Sequence, residues 1–212
     1  MTHGNLSRAV ALAALLLLAG EAFAQDSTVE AGVSAAGVDS AVVARRLSSR
    51  NPRERQGAAE ELARAAAVEH RRLVEGYRVQ EKDAGVRLAL DWALYRMGRG
   101  PSLFALVDAL DEKKRAEQAV AYLKQIESPA PLYVFLNHVN GNTTVRLLEV
   151  LAHVGDRDTL ARIKPFTASL DPGVADAAKF AEREITIRLE ETPAPEPKRE
   201  RRVGQSAETE PE

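Results

Sequence analysis

Residues 102–110 read SLFALVDAL, and 29 residues further on residues 131–139 read PLYVFLNHV. In the first stretch Leu103, Leu106, Val107 and Leu110 recur at i, i+3, i+4 and i+7, one side of a helix. Leu132, Phe135, Leu136 and Val139 repeat that side in the second. The correspondence extends both ways along the chain. Val42, Val74, Leu103, Leu132 and Leu160 form an apolar series with spacings of 32, 29, 29 and 28 residues. Leu62, Leu94, Leu123, Leu151 and Phe180 form a second, with spacings of 32, 29, 28 and 29. Each member of the second follows its partner by 19 or 20 residues. A period in the range of roughly 20–50 residues marks an array of stacked units, each burying an apolar face on its neighbours.

The two series place five helix pairs in residues 38–191. The first helices are expected at Ser40–Ser48, His70–Glu81, Ser102–Leu110, Pro131–Val139 and Thr159–Ala168. The second helices are expected at Pro52–Ala67, Gly85–Met97, Arg115–Ile126, Thr143–Val154 and Gly173–Leu189. Punctuation agrees with these limits. Asn51-Pro52 and Asp171-Pro172 each set a side-chain acceptor before a proline in the first turn, where a missing N–H costs nothing. Gly98 and Gly155 follow the last apolar position of their helices, where a left-handed residue closes the final turn. Asn140-Gly141-Asn142 reads as a turn. No stretch alternates with period two, so no sheet is expected. In the fifth pair Phe180 keeps its rung, but Asp176, Lys179 and Arg183 take positions that are apolar earlier, as in a polar terminal cap. The fold class is therefore all-α, an α-α superhelix of about five helical hairpins.

The pair spacing, the Asn51-Pro52 and Asp171-Pro172 turns, Val86-Arg87 opening a second helix and the turns at Gly98 and Gly155-Asp156 resemble HEAT-like repeat proteins with short units. Val145-Arg146 is similar, displaced by two positions. Longer HEAT and armadillo units of about 40–47 residues, and tetratricopeptide units of about 34 with their own signature, fit less well. The resemblance implies a HEAT-like solenoid acting as a binding scaffold. Family members that are enzymes, bilin lyases and alkyl-purine DNA glycosylases, work on intracellular substrates, and none of their functional residues maps onto this chain. A non-enzyme is expected.

Residues 1–24 carry the marks of a Sec-type signal peptide. These are Arg8, the apolar run Ala9–Ala19, a break at Gly20, and Ala22-Phe23-Ala24 before Gln25. The run is too short to cross a bilayer, which takes about 20 residues. Cleavage after Ala24 and a periplasmic or secreted destination follow as expectations. Residues 25–37 read as a flexible linker, and residues 192–212, with Pro193, Pro195, Pro197 and Pro211 among charges of both signs, as a disordered tail. The chain has no cysteine, which excludes disulfides, thiolate metal sites and cysteine nucleophiles. The net charge of −2 conceals an uneven distribution: Arg45 to Arg78 holds nine arginines against five acidic residues. That excess suggests, as the alternative function, binding of an anionic surface or polymer through the basic N-terminal repeats.

No catalytic or metal-binding pattern emerges. His70, His138 and His153 sit in different helices without metal-ligand spacing, and neither a nucleophile elbow nor a phosphate loop occurs. No cofactor is expected. The residues most suggestive of a site are aromatic. At 100° per residue, Trp92 and Tyr95 point roughly 150° away from the apolar stripe of their helix, with Arg96 beside them. A Trp–Tyr–Arg group on an exposed face has the composition of a binding hot spot, and Lys124 and His153 lie on the same side of later helices. The competing expectation is that this second helix is buried more widely because the first-repeat loop folds over it. The reading is an exported, monomeric scaffold for a protein or peptide partner, with no nucleic acid, contacting it through Trp92, Tyr95, Arg96, Lys124 and His153.

Overall fold

The computed structural model describes residues 39–139 and 141–191, all within one compact unit. The expected signal peptide, linker and tail lie outside the described residues. Nine α-helices alternate with short 3-10 segments, and no strand occurs among the described residues. The helices are α1 (Ser40–Arg45), α2 (Pro52–Arg64), α3 (Arg71–Gln80), α4 (Ala84–Arg96), α5 (Ser102–Asp108), α6 (Ala116–Leu123), α7 (Asn142–Val154), α8 (Arg157–Ile163) and α9 (Pro172–Glu191). Each expected segment is helical. The first segment of the fourth pair is the exception in type, a 3-10 turn at Ala130–Phe135. Pro129 and Pro131 explain it: neither can donate the N–H that an α-helical first turn would recruit, and the tighter winding needs fewer donors.

The caps are built as the sequence suggests. Asn51 accepts the Arg53 N–H at 3.0 Å, and Asp171 accepts the Gly173 N–H at 2.9 Å. Asp83 serves α4 by accepting from Gly85 and Val86. Asp156 and Thr159 form a reciprocal box at the start of α8. Gly98 takes the left-handed conformation at φ +88°. Gly155 does not; its φ is −65°. Its reason is proximity, because a β-carbon there would lie 2.5 Å from the Leu151 carbonyl oxygen and 2.6 Å from Ile185 Cδ1.

The core runs through all five pairs, from Val43 and Leu47 to Ala181 and Ile185. Val74, Leu103, Leu132, Leu62, Leu94, Leu123 and Leu151 are buried, and Leu160 is partly so. The two end rungs correct the expectation. Val42 and Phe180 are each 44% exposed. On α1 the inward residues are Val43, Ala44 and, one turn on, Leu47. On α9 they are Val174, Ala178, Ala181 and Ile185, so the helix is rotated away from the Phe180 register. Alanines on that stripe let α9 lie close along α7, and Ala58, Ala59 and Ala63 do the same for α2 against α4. A phenylalanine facing α7 would hold the two helices apart.

Two bidentate ion pairs fasten the second hairpin. Arg78 on α3 grips Asp91 on α4 through Nε at 2.9 Å and a second nitrogen at 3.3 Å. Arg55 on α2 grips Glu81 with bonds of 2.7 and 2.9 Å and also donates to the carbonyls of Ser49 and Arg50. Glu81 in turn accepts the backbone N–H groups of Lys82 and Asp83. The α3–α4 turn and the α1–α2 turn are thereby locked to one another.

Candidate functional site

Helix α4 decides where the expected site residues go. Val86, Leu88, Ala89, Leu90, Asp91, Trp92, Ala93 and Leu94 are all buried, so this helix has no solvent face through its middle. It packs against α2, α3, α5 and α6 at once. Trp92 is accordingly 3% exposed, which corrects the reading of it as an outward contact residue. The cover comes from α6: the Tyr122 ring stacks on Trp92 with centroids 5.7 Å apart and planes within 2° of parallel. A sign of this was present in the sequence. Residues 88–94 read LALDWAL, apolar nearly all round, and such a helix is buried on every side.

Tyr95 and Arg96, one turn further, remain half-buried at the rim. Tyr95 also stacks on Trp92, at 5.9 Å and 24°. The Arg96 guanidinium lies 5.7 Å from the Trp92 ring centre and pairs with Glu127 at 3.2 Å. Burial pushes the Tyr95 phenol above its ordinary pKa, with Arg96 opposing. Together with Ala66, Ile126 and Pro131 these residues wall a groove of about 410 Å³ where α2, α4 and α6 end. Trp92 therefore stands behind the groove residues rather than lining the groove.

The hidden edge of the stack is polar and fully engaged. The Tyr122 hydroxyl donates to Glu60 Oε1 at 2.6 Å and accepts from Gln118 at 2.8 Å. Gln118 also reaches the Gly85 carbonyl at 3.0 Å, and Gln56 donates to Glu60 at 2.9 Å. Burial, with the Glu60 hydrogen bond next, raises the Tyr122 pKa far above that of a free phenol. The brace crosses from α6 to α2 over the Gly85 end of α4 and holds the Tyr122 ring flat against Trp92.

The groove wall carries backbone strain. Ala66 has φ +46°, the one non-glycine residue with positive φ among those described. It sits just beyond α2, where the Ala67 N–H reaches the Leu62 carbonyl at 3.2 Å, a closure that usually employs glycine. An L-residue there costs about 1–2 kcal/mol, while glycine loses about 0.5–1 kcal/mol more chain entropy on folding. Ala66→Gly is expected to raise stability by up to about 1 kcal/mol, read as a higher urea midpoint at unchanged slope.

The other two expected residues lie elsewhere. Lys124 lines a separate groove of about 430 Å³ with Val145, Glu149 and Phe180. His153 is exposed on α7 and lines neither groove. Of the five expected site residues, Tyr95 and Arg96 thus line one groove with Trp92 packed behind them, while Lys124 and His153 lie outside it. Ala66, Ile126 and Pro131 were missed, since no residue type announces a groove formed where three helices end. Among the described residues no group of three His, Asp or Glu side chains could hold a metal, and no helix is long and apolar enough to cross a membrane. Comparison with protein-family models, curated proteins and solved structures finds no match.

Proposed function

We propose that the protein is an exported, non-catalytic α-α superhelix of HEAT-like hairpins that binds a segment of a protein partner. The order of the helices supports the superhelix: five successive pairs, each second helix following its first through a short turn. The observation that carries the binding role is the rim of the groove, where Tyr95 and Arg96 are held in place by the Trp92–Tyr122 stack. Aromatic and arginine side chains that are already immobilised lose little freedom on binding, which is what gives such residues high affinity per contact. Ile126 and Pro131 supply an apolar floor, and Glu127 and Ser128 supply polar partners for a peptide backbone or a basic side chain.

The test compares the wild-type chain with Tyr95→Ala in affinity enrichment from the native envelope extract, followed by titration of the enriched partner. Tyr95→Ala is expected to weaken binding about thirtyfold, the measure of a hot-spot residue worth about 2 kcal/mol. Raising the salt should change the affinity little, because the contact is packed rather than charge-driven. Undiminished binding in both Tyr95→Ala and Arg96→Ala would refute this site.

A further inference from the structure

The first hairpin and the start of the next present a second surface, opposite in character to the groove. Three of the nine arginines between Arg45 and Arg78 are spent internally, on Glu61, Glu81 and Asp91. The other six, Arg45, Arg50, Arg53, Arg64, Arg71 and Arg72, are exposed, and among the described residues they make no ion pair. The acids of the same stretch do not cancel the cations. Glu61 is paired with Arg46 and Glu75 with Arg99, while Glu54, Glu60 and Glu69 accept from neutral donors and keep their charge, so nine arginines against five glutamates leave an excess of four positive charges.

Large apolar side chains stand among these cations. Val79 is 80% exposed, and Val42, Val68 and Leu73 are also exposed. On α3, Arg72, Leu73, Gly76 and Val79 share an arc of roughly 120° centred nearly opposite the buried Val74. On α1, Val42 and Arg45 face outward while Val43 and Ala44 face the core. The starts of the two helices are tied side by side: Ser40 Oγ donates to Glu69 Oε1 at 3.0 Å and lies 3.1 Å from His70 Nε2.

We infer that this outer face of α1 and α3 docks on an anionic lipid bilayer, with the arginines at the headgroups and Val42, Leu73 and Val79 entering the interface. The charge excess selects a negative partner. The interleaved aliphatic side chains select a bilayer over a polyanion, since they have no use against phosphate or sulfate groups but gain on entering the headgroup boundary. The inference stands apart from the groove and does not depend on it.

The absence of cysteine from the chain gives a clean reporter. A single Val79→Cys substitution in the full chain is labelled with an environment-sensitive fluorophore and mixed with phosphatidylcholine vesicles, with or without phosphatidylglycerol. A blue shift is expected with the anionic vesicles alone, diminishing as salt is raised, while a label at His153→Cys stays in water. Because the reading is local to position 79, membrane affinity of residues 1–24 cannot imitate it. Adding Arg45→Gln and Arg72→Gln, to give a triple variant, should raise the lipid concentration for half-maximal shift about thirtyfold, at roughly tenfold or less per surface arginine. Circular dichroism confirms folding of the variants, whose changes are all at exposed positions. An unshifted label, an equal shift with uncharged vesicles, an undiminished shift in the triple variant, or binding to heparin or DNA without binding to vesicles would each overturn the proposal.

Discussion

Trp92→Ala is expected to destabilise the fold by about 3–5 kcal/mol, the range for removing a large aromatic from a packed interior. The indole stacks on both Tyr122 and Tyr95, within a helix buried along its length. Neither tyrosine can follow the vacated volume inward. Tyr122 is held by Glu60 and Gln118, and Tyr95 is fixed by the winding of α4. The cavity should therefore persist, which places the cost toward the upper part of that range. In a domain of this size the thermal midpoint should fall by about 10–15 °C. A loss below about 1 kcal/mol in urea unfolding would show that the ring contributes little packing, and that the groove rim does not depend on it. Because Arg96 leans on the same indole, the variant should also bind its partner weakly even where it remains folded.

The second large effect concerns Glu81, whose side chain is only 7% exposed. Removing one member of a buried ion pair leaves the other charged and uncompensated, at a cost of about 3–5 kcal/mol. Arg55 is somewhat more open and keeps its bonds to the Ser49 and Arg50 carbonyls, so Glu81→Ala should cost about 3 kcal/mol. The same pair predicts a pH dependence. The Arg55 hydrogen bond, reinforced by two backbone N–H groups, holds the Glu81 carboxyl below its ordinary pKa. A carboxyl depressed in the folded state stabilises above its unfolded pKa of about 4.3, and that stabilisation disappears as pH falls through the folded value. Wild-type stability should thus decline below about pH 4, and Glu81→Gln should show a shallower decline over the same interval. Parallel pH profiles for the two would remove Glu81 from the acid response.

The helices could be read from residue order because their period is carried by large side chains. Leu103, Leu106, Val107 and Leu110 recur so regularly that only a one-sided helix satisfies them, and all four are buried. The first and last helices are harder to read. Phe180 looks like its predecessors in a one-dimensional comparison, yet the residues of α9 that face inward are others. Here α9 turned to bring Ala178 and Ala181 against α7, trading a bulky contact for a closer approach of backbones. Small residues carry that information weakly, because alanine occurs on every kind of helical face.

The misplacement of Trp92 has a related origin. An angle measured around one helix says which way a side chain points but not what waits there. Tyr122, 30 residues later, supplies the cover: the short helix α6 leans its ring across α4. The exposed arginines beside Val42 and Val79 were visible as a charge excess. Which of these arginines form ion pairs and which do not depends on where the carboxylates point, which residue order does not show.

The hydroxyl of Tyr122 meets a carboxylate 62 positions earlier in the chain. In a row of units that touch only their immediate neighbours, an end can fray one unit at a time. This tether works against that sequence for the amino-terminal half, since peeling the first hairpin away would break a bond anchored in the third, worth about 1.5–3 kcal/mol. Amide protons of α2 and α6 should then exchange together, as members of a single cooperative block, with fraying confined to the opposite end.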